Sequence, residues 1–489
     1  MTLCIDGHRF QYEMANLCRV FFPDQKIHSV QEQEVEPDVY TGVKAYADET
    51  QIIVRVNING SKKEAVEIVS PADAEDDKEM ERRMGVLLYK LLSEICGFCP
   101  QWGILTGIRP VKLFARYAES LGEEKARRYF EEKLLVSKEK VELCRMTSHN
   151  QQKILSIPGK RTFSLYISIP FCPTRCAYCS FVSTSVEKTF RLVPDYVKLL
   201  CEELCHTAEI ADALHLTCDS VYIGGGTPTT LSAEQLAEVL GTVRNHFDLS
   251  HCRELTVEAG RPDTVTKEKL AALQEGGTTR ISINPQTLND KVLQTIGRAH
   301  STKQTLEAFA LARKCGFNNI NMDLIAGLPK DTEESFQHTV DGVIGLEPES
   351  ITVHTLALKR AAKLSLDPAG PYNGDAHMAQ NMLAYADGKL LENGYRPYYL
   401  YRQSRMVGNL ENTGWSKPGY EGYYNIFIME EKETILACGA GAVSKLYDPE
   451  SDRLERIFNF KYPYEYIGRF SEMMTRKDMV KEFYDSFSD

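Results

Sequence analysis

From Phe163 onward, short runs of β-branched and aromatic residues alternate with longer runs of helical periodicity. No other feature of the sequence constrains the fold as much. A strand followed by an amphipathic helix returns to the same end of the sheet, so successive strands pair in parallel. Strands are expected near residues 163–169, 219–224, 254–258, 279–284, 318–325 and 350–355. Helices are expected near 190–211, 232–245, 266–275, 301–314 and 333–345. Six such units predict an α/β fold, a partial (β/α)6 barrel of the TIM type. A longer helix near 374–393 and a Tyr-rich segment from Tyr395 to Tyr401 follow, ahead of a mixed extension.

The N-terminal part reads differently. Ile52 to Ile58 and Glu64 to Val69 are β-rich. A charged run from Asp73 leads into Met84, Leu87, Leu88, Leu91, Leu92 and Ile95, which recur at helical spacing, so the charges read as solvated first turns of that helix. Glycines and a proline punctuate Trp102 to Pro110, which reads as a turn, and Ser137 is placed to cap a later helix. A length of 489 residues allows about three domain equivalents. The expected division is an α+β region at 1–155 with no legible chemistry, a barrel at 156–365 and a C-terminal helical and mixed region at 366–489 covering the substrate side.

Charge and apolar patterning exclude several classes. A formal charge of −11 disfavours sequence-independent nucleic-acid binding, which needs a basic face. No run of eighteen apolar residues exists, so no membrane span is expected. Met1 to Phe10 shows no apolar core or small-residue cleavage site, which leads to an expectation of a cytoplasmic protein. Fourteen cysteines in a reducing compartment are thiols, ligands or catalysts.

Three of them, Cys172, Cys176 and Cys179, follow the first barrel strand at spacings of four and three. Such a loop can give three thiolates to a [4Fe–4S] cluster and leave one iron open to a small molecule. A zinc site completed by a distant His or Cys is the alternative. Gly224-Gly-Gly-Thr-Pro228 ends the second strand, where glycines allow close backbone approach to a ligand. Thr227, Glu258, Gln286, Arg298, Asp323 and Ala357 mostly fall at or just past strand C-termini, where barrel enzymes build their sites.

Tyr166-Ile-Ser-Ile-Pro-Phe-Cys172, with Cys176 and Cys179, resembles the radical S-adenosylmethionine (SAM) superfamily, and more narrowly its oxygen-independent coproporphyrinogen III oxidase group. The barrel from about 160 to 450 carries this likeness; the N-terminal region with Trp102 to Pro110 resembles the HemZ, or coproporphyrinogen dehydrogenase, branch. The resemblance implies a radical SAM barrel with Cys172, Cys176 and Cys179 on the cluster. It implies SAM contacts from Tyr166, Tyr178, Gly225, Gly226, Thr227, Glu258, Gln286, Arg298, Asp323 and Ala357. Tyr166, Glu258 and Arg298 are the implied catalytic positions, with Arg298 holding a carboxylate by its fork and Asp323 binding ribose hydroxyls.

The implied reaction converts two propionates of coproporphyrinogen III to vinyl groups, giving protoporphyrinogen IX without oxygen. A low-potential donor such as flavodoxin or ferredoxin would supply electrons. The tetra-anionic substrate calls for cations, for which Lys359, Arg360, Arg402 and Arg405 are candidates. HemN-type oxidases carry a fourth Cys two residues after the third; here Phe181 stands there. HemW-like haem-trafficking proteins also lack that Cys. Haem binding and delivery, or another radical SAM reaction on a tetrapyrrole, are therefore alternatives.

Weaker signals read as structural. Cys96-Gly-Phe-Cys99 lacks a thioredoxin-like surround, and Cys201 and Cys205 lie one helical turn apart. Gly439-Ala-Gly441 lacks the third glycine of a dinucleotide site, and His354 reads as a core histidine.

Overall fold

The computed structural model describes residues 1–31, 36–47, 49–179, 184–357, 374–403 and 405–486. Phe181, Lys359 and Arg360 lie outside the described residues. The chain divides into two compact units. The first holds Met1–Ser148 with the described parts of Asp367–Gln380 and Leu400–Glu411; the second holds the described remainder.

The first unit is built on a five-stranded sheet in the order His28–Val30, Thr2–Asp6, Val39–Ala45, Thr50–Ile58, Ser61–Val69. Its first three strands run parallel and the others antiparallel. Helices Gln11–Phe21 and Asp77–Cys96 bring Met14, Leu17, Met84, Leu88 and Leu92 into one core with Leu3, Ile5, Val54 and Val56. The helix that the charge run announces starts at Asp76, whose carboxylate accepts the Lys78 and Glu79 N–H groups. Ser137 likewise accepts from Lys140 N across 3.3 Å.

A polar cluster closes this unit. Trp102 Nε1 donates to Glu411 Oε2 at 2.7 Å, and Lys140 bonds the other carboxylate oxygen. Arg402 lies over the Trp102 ring at 5.2 Å and donates to the carbonyls of Leu105, Gly107 and Asn409.

The second unit carries an eleven-stranded sheet. Its centre is six parallel strands in chain order: Thr162–Ile169, Thr217–Gly225, Glu254–Glu258, Arg280–Ser282, Ile320–Ala326 and Ser350–Thr355. These match the sequence reading to within a few residues. Past the sixth, Asn412–Ser416 pairs antiparallel and Arg396–Tyr401 forms the edge. On the other side Thr434–Cys438 runs parallel to the first strand, followed by the hairpin Val443–Asp448 and Arg453–Phe458. Helices Val193–Ala213, Ala233–His246, Lys267–Glu275, Thr302–Lys314 and Glu333–Ile344 follow the first, second, third, fourth and fifth strands. Ser232 and Ser301 start two of them with reciprocal capping boxes.

The C-terminal segment is tied to the end of the first strand. Tyr196 donates to Ser168 O at 2.7 Å and accepts from Ala440 N at 2.8 Å, while Ser168 Oγ donates to Ala440 O at 2.8 Å. Gly439 sits at φ +94°, and a Cβ there would lie 2.5 Å from Ser168 O, so no other residue fits without backbone movement. Beneath it, buried Glu203 accepts from Gly439 N (2.7 Å), Asn459 Nδ2 (2.8 Å), Tyr466 Oη (2.7 Å) and Lys477 Nζ (2.9 Å). Every bond the carboxylate needs in a dry interior is made.

Candidate functional site

The first strand ends at Ile169, and the cysteine loop begins three residues later. Cys172 and Cys176 are buried and Cys179 is half-buried. The loop is held by backbone bonds: Cys179 N donates to Cys176 O at 3.2 Å, and Ala177 N donates to Ile296 O at 2.9 Å. The glycine segment supports it from below. Gly226 N donates to Ile169 O and Thr227 N to Phe171 O, both at 2.8 Å. A Cβ on Gly226 would stand 2.7 Å from Phe171 O, so the strand ends approach this closely only because the residue is glycine. Gly225, at φ +105°, turns the chain there.

Among the described residues, Thr227 and Arg261 reach the sulfurs of Cys172 and Cys176. Thr227 Oγ1 donates to Cys172 Sγ at 3.5 Å. Arg261, which follows the third strand and is only 3% exposed, points Nη1 at Cys176 Sγ across 3.7 Å. Among the described residues, no three His, Cys, Asp or Glu side chains are already gathered in metal-holding geometry. The fit to a cluster is one of donor chemistry: three thiols on one loop, two of them accepting hydrogen bonds of the kind that stabilise thiolate ligands.

Glu258 ends the third strand. Burial pushes its carboxyl up to about 7 against the Tyr222 hydrogen bond, which favours the ionised form. The Tyr222 hydroxyl donates to Glu258 Oε1 at 2.5 Å. Tyr222 is stacked on Tyr424 with ring centroids 4.5 Å apart, and Tyr166 stacks on both at 6.2 and 5.8 Å. Tyr424 comes from the helix Tyr423–Glu430, whose first N–H is bonded to Glu254 Oε2, at the opposite end of the third strand from Glu258. A tyrosine stack therefore lines the sheet between the strand starts and the carboxyl at their ends.

Asp323 stands mid-way along the fifth strand. Asn321 Nδ2 donates to its Oδ1 at 2.8 Å, and His354 Nε2 lies 3.7 Å from its Oδ2. Burial opposes ionisation, but His354, Asn321 and Thr352 together hold the carboxyl below the usual range. His354, read from sequence as a core residue, thus faces the same carboxylate group of strand ends and is half-buried. Gln286 is buried at φ 68°, where its N–H donates to Asp323 O at 2.9 Å and its carbonyl accepts Ile325 N at 3.0 Å. Ala357 lies two residues beyond the sixth strand.

Arg298 is turned toward the cysteine loop. Its Nε and Nη2 donate to the Tyr178 hydroxyl at 3.3 and 3.1 Å, and Nη1 donates to Gly260 O at 3.0 Å. The sequence reading missed Tyr222, Tyr424 and Arg261. Arg261 carried one signal, its place three residues after Glu258 beyond a strand end; Tyr424 carried none.

The cation set for an anionic substrate needs correction. Arg402, taken from sequence as a pocket cation, is 3% exposed and committed to three backbone carbonyls and the Trp102 ring of the first unit. Burial pushes its pKa down to about 10, so the three carbonyl bonds and the ring contact, not the charge as such, hold it in that core. Arg405 is exposed in the first unit, in the left-handed region at φ 66°.

A parallel strand-and-helix sheet with a three-cysteine loop at the end of its first strand is the architecture of radical SAM proteins, and the radical SAM superfamily model matches residues 166–343. The chain is 35% identical over 488 residues to the oxygen-independent coproporphyrinogen-III oxidase-like protein HemZ of Bacillus subtilis, covering 98% of this chain and 97% of that protein. It is 32% identical to the haem chaperone HemW of the same organism over 53% of this chain and 69% of that one. Its fold matches the solved coproporphyrinogen III oxidase HemN of Escherichia coli with a TM-score of 0.52 at 22% identity, covering 66% of this chain and 72% of the other. The chain belongs to the radical SAM superfamily and, within it, to the HemZ-like family of oxygen-independent coproporphyrinogen oxidase relatives. A [4Fe–4S] cluster and SAM are the cofactors of that superfamily and of this chain. No helix among the described residues is long and apolar enough to cross a membrane.

Proposed function

We propose that the chain is a radical SAM oxidoreductase acting on a tetrapyrrole, converting two propionates of coproporphyrinogen III to vinyl groups to give protoporphyrinogen IX. The likeness to a HemZ protein across 98% of the chain carries this reading, because it takes in the N-terminal unit as well as the barrel. Cys172, Cys176 and Cys179 would hold the cluster, whose remaining coordination would be open to SAM. Cluster and SAM together, when bound, supply abstraction of a hydrogen atom from an unactivated carbon.

The residues of the chain then have separate tasks. Glu258, ionised, meets the cationic end of SAM, and Arg298 meets its carboxylate. Asp323, kept charged beside His354, accepts from ribose hydroxyls. Gly225, Gly226 and Thr227 hold the loop backbone against the ligand, and Tyr166, Tyr178, Gln286 and Ala357 complete the SAM contacts. The tyrosine stack excludes water from beneath Glu258. In the substrate, loss of one hydrogen atom from a propionate β-carbon, then of carbon dioxide and one electron to a one-electron acceptor, leaves each vinyl group.

Reconstitution without oxygen, followed by SAM, a low-potential reductant and coproporphyrinogen III, tests the reading. Chromatography is expected to show 5′-deoxyadenosine together with protoporphyrinogen IX or its mono-vinyl intermediate. Deoxyadenosine with unchanged tetrapyrrole sinks the decarboxylase reading. The HemW likeness favours a second reading, haem binding for delivery. Tight stoichiometric haem binding without turnover would establish it.

A further inference from the structure

We propose that Arg261 is a positioning residue of the iron–sulfur site that fixes the ligand loop and raises the reduction potential of the cluster. The proposal rests on Cys176 being a cluster ligand. Arg261 is 3% exposed, and burying a guanidinium costs several kcal/mol unless its donors are all used. Nη1 donates to Thr174 O at 3.3 Å and to Cys176 Sγ at 3.7 Å, and Nη2 donates to Thr174 Oγ1 at 3.0 Å. Nε and Nη2 pair with the Asp263 carboxylate at 3.1 and 3.4 Å. Among the described residues, every side-chain bond of Arg261 other than those to Asp263 ends on the segment that carries Cys172 and Cys176.

Placement of this charge has an electrostatic consequence. One-electron reduction adds one negative charge spread over the cluster and its sulfurs. A cation donating to a ligand sulfur stabilises the reduced form more than the oxidised one, so the potential rises. Other charges near the loop bear on the size of the effect. Asp263 offsets part of it. Arg298 adds to it from the Tyr178 side. His300, buried close by, is pushed down to about 4 by burial and by Arg298, and so contributes no charge near neutral pH.

Arg261→Gln and Asp263→Asn variants of the full chain, reconstituted with iron and sulfide, test the proposal by spectroelectrochemical titration of the cluster without SAM. Removing the cation is expected to lower the midpoint by about 59 mV or more, the one-electron equivalent of a tenfold change. Removing the counter-charge is expected to raise it. Midpoints that stay put in both variants, or move in the same direction, overturn the proposal. Should Arg261→Gln fail to take up iron, the sign of the Asp263→Asn shift decides. Cys176→Ala separates the underlying reading: a variant that still holds its full iron complement would remove Cys176 as a ligand, whatever the behaviour of Arg261.

Discussion

The Tyr222 hydroxyl and Glu258 Oε1 lie 2.5 Å apart at the end of the third barrel strand, and the Tyr222 ring is itself pinned by Tyr424 at 4.5 Å. A phenol donating to a carboxyl favours the ionised form, against the burial that disfavours it. The balance leaves Glu258 near 7, where a small change in either influence alters its charge. Tyr166, Tyr424, Asp323 and His354 are other titratable groups facing it.

SAM affinity should therefore depend on pH. With Glu258 contributing only when ionised, affinity rises as pH climbs through about 7. Tyr222→Phe removes a donor to the charged form, moves that rise to higher pH, and weakens binding near neutral pH by about tenfold, or ~1.4 kcal/mol. Glu258→Gln flattens the dependence. Equilibrium dialysis of SAM between pH 6 and 9 measures both; superimposable wild-type and Tyr222→Phe profiles would count against this role.

Glu433 should make the barrel less stable at alkaline pH. It is buried, Asp219 lies beside it, and desolvation first and that neighbour's charge next hold its carboxyl well above the usual range. The unfolded chain releases this proton at an ordinary carboxylate pKa, whereas the folded chain keeps it. Its contribution is thus full at low pH and is lost as pH rises through the folded value. Glu433→Gln keeps a partner for Ser164 and cannot ionise. Thermal melting at several pH values should show the variant gaining on the wild type as pH rises; parallel curves would contradict this.

Lys477→Met should destabilise the second unit by about 3 kcal/mol, because it leaves Glu203 charged and buried without its cation. Adding Glu203→Gln should recover part of the loss. Melting temperatures of the wild type, both single variants and the double variant give the answer, and additive effects would show the pair to be uncoupled.

Arg402→Met should lower protection of the backbone around Leu105, Gly107 and Asn409 in hydrogen exchange, at a net cost of roughly 2–4 kcal/mol, since the cost of burying the charge offsets part of the three lost charged hydrogen bonds and the ring contact. SAM affinity should be unchanged. A variant with normal protection and weakened SAM binding would reverse that assignment.

How far the sequence reveals this molecule depends on the range of the interaction. The six parallel strands were legible because a strand and its following helix are local patterns, and so was the cap at Ser137; the caps at Ser232 and Ser301 emerged with the structure. The cysteine loop was legible because its ligands lie within eight residues. Tyr222 meets Tyr424 only after two hundred residues of intervening chain, and nothing near either marks the encounter. Arg402 was misread for a related reason. An arginine beside a Tyr-rich strand looks solvated until the fold brings Trp102 under it and three carbonyls around it.

The sheet order has a consequence for synthesis. The first barrel strand, which leads directly into the cysteine loop, receives its second neighbour from Thr434–Cys438, and the cation that satisfies Glu203 arrives only at Lys477. On the ribosome, then, the segment bearing Cys172 to Cys179 waits with one open edge and an uncompensated carboxylate until Lys477 has been made. A product that terminates early, though it contains every cysteine of the loop, lacks the frame that fixes them.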